Sequence, residues 1–126
     1  MNNEKIMLIY GFIEDELNIF DYLCNEFKLP KYKIIKKDMA KMKVRDLLEG
    51  INLPVVNSKI PEEKVVLFNN FSDKELQKCI RFIKNNLESM PIMAIITDTS
   101  INWTFEYLIE HLVEEREWFK EHRNGV

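Results

Sequence analysis

The chain matches itself when it is displaced by 59 residues, and this internal similarity limits the folds open to it more than any other feature. The segment "IMLIYGFIEDEL" (Ile6–Leu17) lies over "VVLFNNFSDKEL" (Val65–Leu76). A displacement of two further residues aligns the later part of each half, so that Leu47 meets Leu108. The sequence therefore predicts two pseudo-repeats, about residues 5–50 and 64–122, joined by a loop at 51–63.

Each pseudo-repeat has the pattern of a strand, a helix, a second strand and a second helix. Short continuous apolar runs indicate buried strands, and apolar residues at steps of three and four indicate helix faces. These patterns predict strands at Ile6–Tyr10, Tyr32–Lys37, Val65–Asn69 and Pro91–Thr97. They predict helices at Ile13–Phe27, Met42–Gly50, Asp73–Glu88 and Ile101 to about Lys120.

Alternating strands and helices favour an α/β protein with one four-stranded, largely parallel sheet and helices packed on it. We expect the first and third strands to be central and the three apolar strands to be well covered. The lysines around "YKIIKK" are typical of an edge strand. A ferredoxin-like α+β sheet, built from the same two halves, remains an alternative. A length of 126 residues is that of a single domain, residues 1–126.

The two helices that follow the first strand of each half differ at their starts. Ser72 and Glu75 form a capping box, in which each side chain accepts a hydrogen bond from the other residue's free amide. Ile13 stands at the corresponding position of the first half and has no acceptor. We therefore expect the first helix to begin less firmly than the third.

Composition gives few hints of chemistry. Hydrophobic residues make up 46% of the chain and charged residues 31%, as in an ordinary globular protein. The apolar runs are too short to cross a bilayer, and "MNNEK" is unlike a secretory signal. Cys24 and Cys79 are far apart, which favours reduced buried thiols in a cytoplasmic protein. His111 and His122 are too distant along one helix to share a metal ion, and we predict no cofactor.

Polar residues follow the carboxyl ends of the predicted strands, where open parallel sheets bind ligands. A small-molecule or anion site there would use Gly11, Asn69, Asn70, Asp98, Thr99, Ser100, Asn102 and Trp103. The simpler interpretation is that the small polar residues cap a helix and that Trp103 covers the core. No glycine-rich phosphate loop follows any strand, which argues against a nucleotide site.

Charge is unevenly distributed along the chain. The segment Lys28–Arg45 holds eight basic residues and one acidic residue, whereas the last helix is rich in glutamate. The basic segment is either a solvated, lysine-protected edge or a surface for an anionic partner such as a nucleic acid. The basic segment of one subunit could also contact the acidic last helix of another subunit in a homo-oligomer. Trp118 and Phe119 suit such an interface, because aromatic residues are enriched at protein contacts.

The second half of the chain, about Val65 to Trp118, resembles the bacterial domain-of-unknown-function family 3783. The residues that carry the resemblance are "VVLFNNFSDKEL" and "AIITDTSINWTFEYLIEHLVEE". The distinctive piece is the threonine-rich turn that ends in Asn102, Trp103 and Thr104. In the family pattern we expect Pro and Asn where Asp98 and Ser100 stand here. The resemblance implies a bacterial cytoplasmic origin and assigns no catalytic residues.

The sequence shows no arrangement of residues typical of catalysis. It therefore favours a non-enzymatic protein-binding or regulatory module that also associates with itself. The first alternative is a small-molecule or anion site near Trp103, which could include a catalytic function. The second is nucleic-acid binding through Lys28–Arg45, although the net charge of −3 argues against a dedicated nucleic-acid binder.

Overall fold

A computed structural model describes residues 4–51 and 60–123 of the chain. The strands are β1 (Ile6–Tyr10), β2 (Lys33–Ile35), β3 (Val65–Asn69) and β4 (Ile92–Ile95). The helices are α1 (Glu14–Glu26), α2 (Val44–Leu48), α3 (Asp73–Asn86) and α4 (Phe105–Arg123), with short 3-10 turns at Lys37–Met39 and Ser100–Asn102. The predicted α/β class is confirmed. The middle of the predicted loop, residues 52–59, lies outside the described residues.

The four strands form one sheet in the order β2-β1-β3-β4. The first and third strands are central, as the sequence predicts. β1 pairs with β2 in parallel, and β3 pairs with β4 in parallel, whereas the two central strands are antiparallel to each other. The two strands of each half are direct neighbours, and this distinguishes the fold from the ferredoxin-like alternative, which splits its βαβ units.

Helices cover both faces of the sheet. Successive side chains of a strand point to opposite faces, so each central strand contributes to two apolar clusters. On one face Met7 and Phe68 pack with α1 and α3. On the other face Leu8 and Leu67 pack with α2 and α4. The result is a three-layer arrangement with the central strands fully buried.

The two halves contact each other through residues that the predicted repeat treats as equivalent. Leu8 lies opposite Leu67 at the centre of the antiparallel pair. Farther along the chain, Lys43 and Thr104 form an isolated antiparallel bridge. The Val44 amide donates to the Trp103 carbonyl at 2.9 Å, and the Phe105 amide donates to the Met42 carbonyl at 2.9 Å. A two-fold relation between the halves would give these pairings; the duplication itself stays a prediction.

Two predicted features differ in the structure. The apolar strand β4 is an edge strand and is not well covered: the side chain of Ile95 is 54% exposed. The last helix begins at Phe105 instead of Ile101, because Trp103 adopts an extended conformation and interrupts the helix. The hydroxyl oxygen of Thr104 then accepts a hydrogen bond from the Tyr107 amide at 3.1 Å, which caps the start of α4.

Candidate functional site

The polar residues of the turn after β4 bond mainly to one another. The Ser100 hydroxyl oxygen accepts from the Thr97 amide at 2.9 Å, and the Thr97 hydroxyl oxygen accepts from the Ser100 amide at 3.0 Å. Ser100 is buried as a result. These reciprocal bonds hold the turn in shape. The small polar residues predicted to cap the last helix do not do so: Thr99 makes no capping hydrogen bond, and α4 is capped by Thr104. Asp98 and Thr99, between Thr97 and Ser100, are exposed.

Asn102 connects this turn to the other half of the chain. Its side-chain amide donates to the Asp98 carbonyl at 3.2 Å. Its side-chain oxygen accepts a hydrogen bond from the Arg45 guanidinium. Both ends of Asn102 are thus engaged in the fold, and Arg45 of the predicted basic surface is engaged with it. Lys33, of the same basic segment, donates to the Leu48 carbonyl at 2.7 Å.

The residues predicted for a ligand site lie at two opposite ends of the sheet. Asn69 is buried at the end of β3 and Asn70 follows it, beside the parallel strand that leads into Asp98. Gly11 follows β1, which runs the other way, so it lies at the other end of the sheet. Gly11 therefore does not join the other predicted residues. Its neighbour there is the backbone of Glu63.

Trp103 lies partly buried between the core and an aromatic surface. Its ring packs against the apolar cluster beneath α4. It also contacts the ring of Tyr107 edge to face, at 4.8 Å between centroids, and the ring of His111 at 5.3 Å. Trp103 thus covers the core, as the simpler interpretation predicts, and begins a run of rings along α4.

Helix α4 has two different faces. Its inner face packs on the sheet through Phe105, Leu108, Ile109, Leu112 and Val113. Its outer face carries rings at steps of three, four and seven residues, which align on one side of a helix. We call these rings, together with Trp103 just before the helix, the α4 aromatic surface: Trp103, Tyr107, His111, Trp118, Phe119 and His122.

The α4 aromatic surface is largely open to solvent. Tyr107 is 52% exposed, Trp118 53% and Phe119 58%. The His122 ring stacks on Trp118 at 4.1 Å between centroids. His111, Glu114, Glu115, Trp118 and Phe119 line a shallow depression of about 540 Å³.

An ion pair holds the second half of α4 against the start of β3. Arg116 donates to both carboxylate oxygens of Glu63, at 2.9 and 2.7 Å. These hydrogen bonds lower the pKa of Glu63 and raise the pKa of Arg116. Within the described residues, no side chain after Val113 belongs to the apolar clusters, so this pair anchors a helix end that has left the core.

The two cysteines are buried, as predicted, and both are free. They belong to the apolar cluster between the sheet and the layer of α1 and α3. Burial raises the pKa of Cys24, and burial also raises the pKa of Cys79 to about 11. Both thiols are therefore protonated at neutral pH, and a protonated thiol is a poor nucleophile and metal ligand.

Two further observations bear on cofactors and membranes. Among the residues that the structure describes, no three His, Cys, Asp or Glu side chains are grouped so that they could hold a metal ion. None of the helices in the described ranges has the length and apolar character that crossing a bilayer requires.

The sequence placed His111, Trp118 and His122 on one helix face, and the structure shows all three exposed. The sequence did not indicate Tyr107 beside them or the pairing of Arg116. Arg116 pairs with Glu63, which lies 53 residues earlier in the chain. A contact of that kind leaves no local pattern.

The fold and surface together define a class: a three-layer α/β protein whose last helix presents aromatic rings to solvent. Residues 64–119 match the model of a domain of unknown function, DUF3783, which confirms the resemblance seen in the second half of the sequence. The match runs from the residue before β3 into α4 as far as Phe119. No curated protein and no solved structure matches the chain.

Proposed function

We propose that this chain is a non-enzymatic protein-binding module and that the α4 aromatic surface is its binding site. The observation that carries the proposal is the exposure of Trp118 and Phe119 on a helix end that contributes nothing to the described apolar clusters. Grouped exposed aromatic rings on a protein surface mark interaction sites more often than they serve the fold.

The charge around the rings indicates the chemistry of the partner. Exposed glutamates flank the surface at Glu110, Glu114, Glu115, Glu117 and Glu121. A partner with apolar side chains between lysines or arginines would match both features. We therefore propose a basic, amphipathic segment of another protein as the binding partner, with its apolar side chains in the depression beside Trp118.

A peptide-display selection tests this proposal. Random peptides are selected against the whole chain and counter-selected against the double variant Trp118→Ala, Phe119→Ala. We expect enriched peptides to combine apolar and basic residues, and to bind the double variant at least about tenfold more weakly. Amide chemical shifts that change on binding should map to the second half of α4.

Tyr22→Ala supplies the matched control. Tyr22 is 60% exposed and stacks on Phe82 in the α1 and α3 layer, on the other side of the sheet from α4. This variant should bind the selected peptides like the wild type. If the peptides bind the double variant as tightly as the wild type, or if shifts cluster away from α4, the proposed surface is wrong.

We further propose that the chain works in a bacterial cytoplasm. The compartment is supported by two free, buried thiols in a single apolar cluster, which suits a reducing environment. The bacterial origin is carried only by the resemblance noted in the sequence. Alkylation of intact host cells, followed by mass spectrometry, should recover the chain with both cysteines unoxidised.

A further inference from the structure

The two edges of the sheet differ in how they are protected. At one edge, β2 is three residues long and contains Lys33, with Lys31, Lys36 and Lys37 close by. At the other edge, β4 lies in the segment Ser89–Thr97, which contains no charged residue. Charged side chains and short length are the usual means by which an edge strand avoids pairing with another chain. Both edge strands are short, but only the β2 edge has the charged side chains.

The backbone of β4 presents hydrogen-bonding groups outward. The Ile92 amide donates to the Lys64 carbonyl at 2.8 Å, and the Ile96 amide donates to the Phe68 carbonyl at 2.9 Å. The backbone N–H and C=O groups of the even-numbered residues of β4 therefore point toward β3. Since the backbone alternates, the N–H and C=O groups of Met93 and Ile95 point away from the sheet.

Exposed apolar side chains accompany these groups. Met90 is 50% exposed and Ile95 is 54% exposed. Met93 packs partly into the cluster on the α1 and α3 face, and Ile95, two residues on, emerges on the same face. Among the residues that the structure describes, the β4 edge thus combines backbone groups that point away from the sheet with an uncovered apolar side chain.

We propose that β4 pairs antiparallel with β4 of a second copy of this chain, so that the two four-stranded sheets join into one of eight strands. The register places Ala94 opposite Ala94 of the second copy and Met93 opposite Ile95 of the second copy. All four outward N–H and C=O groups of each strand are then used. Met93 of one copy covers the exposed side of Ile95 in the other.

Neighbouring registers of the strand pair use fewer of the outward backbone N–H and C=O groups. A shift toward the start of β4 would set Ile95 against Pro91, which has no amide hydrogen. A shift toward its end would set Met93 against Thr97, whose amide already donates to Ser100. The Ala94-centred pairing is therefore the register that the strand favours.

A second copy fits this edge better than a different protein does. The segment offers no charge by which another partner could be selected, whereas an identical strand is complementary to it in both backbone pattern and apolar character. The assembly also ends at two chains, because the outer edges of the eight-stranded sheet would be the lysine-protected β2 strands. This surface is separate from the α4 aromatic surface and does not depend on the proposed protein partner.

Sedimentation velocity and light scattering test the proposal. The monomer mass is 15.1 kDa, and wild-type protein should reach twice that mass as its concentration rises to about 500 µM, since a short strand pair gives a modest affinity. The variant Ile95→Lys should weaken dimerisation by about tenfold or more, because lysine protects a natural edge. Ile34→Lys is the matched control: Ile34 is 48% exposed on β2, at the opposite edge, and this variant should dimerise like wild type.

Hydrogen exchange of the wild-type protein gives a second test that needs no substitution. Exchange at the amides of Met93 and Ile95 should slow as concentration rises, while exchange at Ile34 should not change. The proposal is overturned if the wild type stays at monomer mass up to about 500 µM. It is also overturned if Ile34→Lys or Trp118→Ala weakens the dimer as much as Ile95→Lys does, or if those two amides exchange independently of concentration.

Discussion

Gly11 lies so close to the backbone of Glu63 that its position requires a glycine. Its φ angle is +88°, and a Cβ atom at this position would lie 2.1 Å from the Glu63 carbonyl oxygen. Gly50 also has a positive φ angle, +76°, but the nearest atom to its Cβ position is the flexible Lys33 Nζ at 3.9 Å. The two glycines share a dihedral preference and differ in the space around them.

Alanine substitutions at the two glycines should therefore differ in cost. Gly50→Ala should lower the free energy of unfolding by about 1–2 kcal/mol, the penalty for a side chain in the left-handed region. Gly11→Ala adds a backbone clash and should lower it by more than about 3 kcal/mol in total. Urea unfolding followed by tryptophan fluorescence measures both. Equal costs would show that the Glu63 backbone moves aside, and the close approach would lose its importance.

At the scale of single residues, sequence predicted the local contacts and missed the distant ones. The capping box of Ser72 and Glu75 spans three residues and is present in the structure. The roles of Gly11 and Asn102 depend on Glu63 and Arg45, which are 52 and 57 positions away in the chain. A glycine after a strand suits a ligand or a neighbouring backbone equally well, and only the folded chain distinguishes them.

At the scale of elements, the starts of α1 and α3 have the same backbone arrangement but differ in the number of capping hydrogen bonds. At α3, the Ser72 hydroxyl accepts from the Glu75 amide at 3.2 Å, and the Glu75 carboxylate accepts from the Ser72 amide at 3.0 Å. At α1, Glu16 accepts from the Ile13 amide at 3.0 Å, but isoleucine cannot return the bond. The prediction that the first helix lacks the serine's half of the capping box is confirmed.

Ile13→Ser should complete this capping box. Ile13 is 60% exposed, so its replacement gives up little buried apolar area, and the new hydroxyl can accept from the Glu16 amide. We expect the free energy of unfolding to rise by about 0.5–1 kcal/mol. Ser72→Ala, which removes the equivalent bond from α3, should lower it by a similar amount. A variant Ile13→Ser that is no more stable than wild type in thermal unfolding would contradict this account.

Element type was predictable from periodicity, whereas strand direction was not. Apolar runs and helical stripes are local, and all four strands and four helices occur near their predicted positions. The antiparallel contact between β1 and β3 depends on how the chain returns between the halves, and the irregular segment after Ile51 carries no periodic signal. That single reversal separates Gly11 from Asn69 and divides the predicted ligand site.

At the scale of the whole molecule, ion pairs join segments that are distant in the chain. Lys5 pairs with Glu75, joining the residue before β1 to the start of α3. Lys64 pairs with Glu16 at 2.6 Å, and Arg116 pairs with Glu63 at 2.7 Å. Glu63 and Lys64 directly precede β3, so the last two pairs connect α1 and α4 to the start of β3 at one end of the sheet.

These carboxylates should make the fold sensitive to acid. The hydrogen bond from Lys5 is the largest influence that lowers the pKa of Glu75, to about 2, and the hydrogen bonds from Arg116 lower the pKa of Glu63. Burial alone would raise the pKa of Glu16, but the hydrogen bonds from Lys64 and the Ile13 amide outweigh it and lower the pKa. In the unfolded chain such groups titrate near about 4.3.

Because the folded pKa values lie below the unfolded ones, the unfolded state binds more protons in acid. The stabilisation is complete above about pH 5 and should be lost progressively as the pH falls toward about 2. Glu63→Gln should be less stable than wild type at pH 7 and should lose less stability on acidification, so that the two curves approach each other at low pH. Glu110→Gln, at an exposed glutamate of α4, should follow the wild-type curve. Urea unfolding at a series of pH values measures all three, and a Glu63→Gln curve parallel to wild type would show that the Arg116 pair does not stabilise the fold.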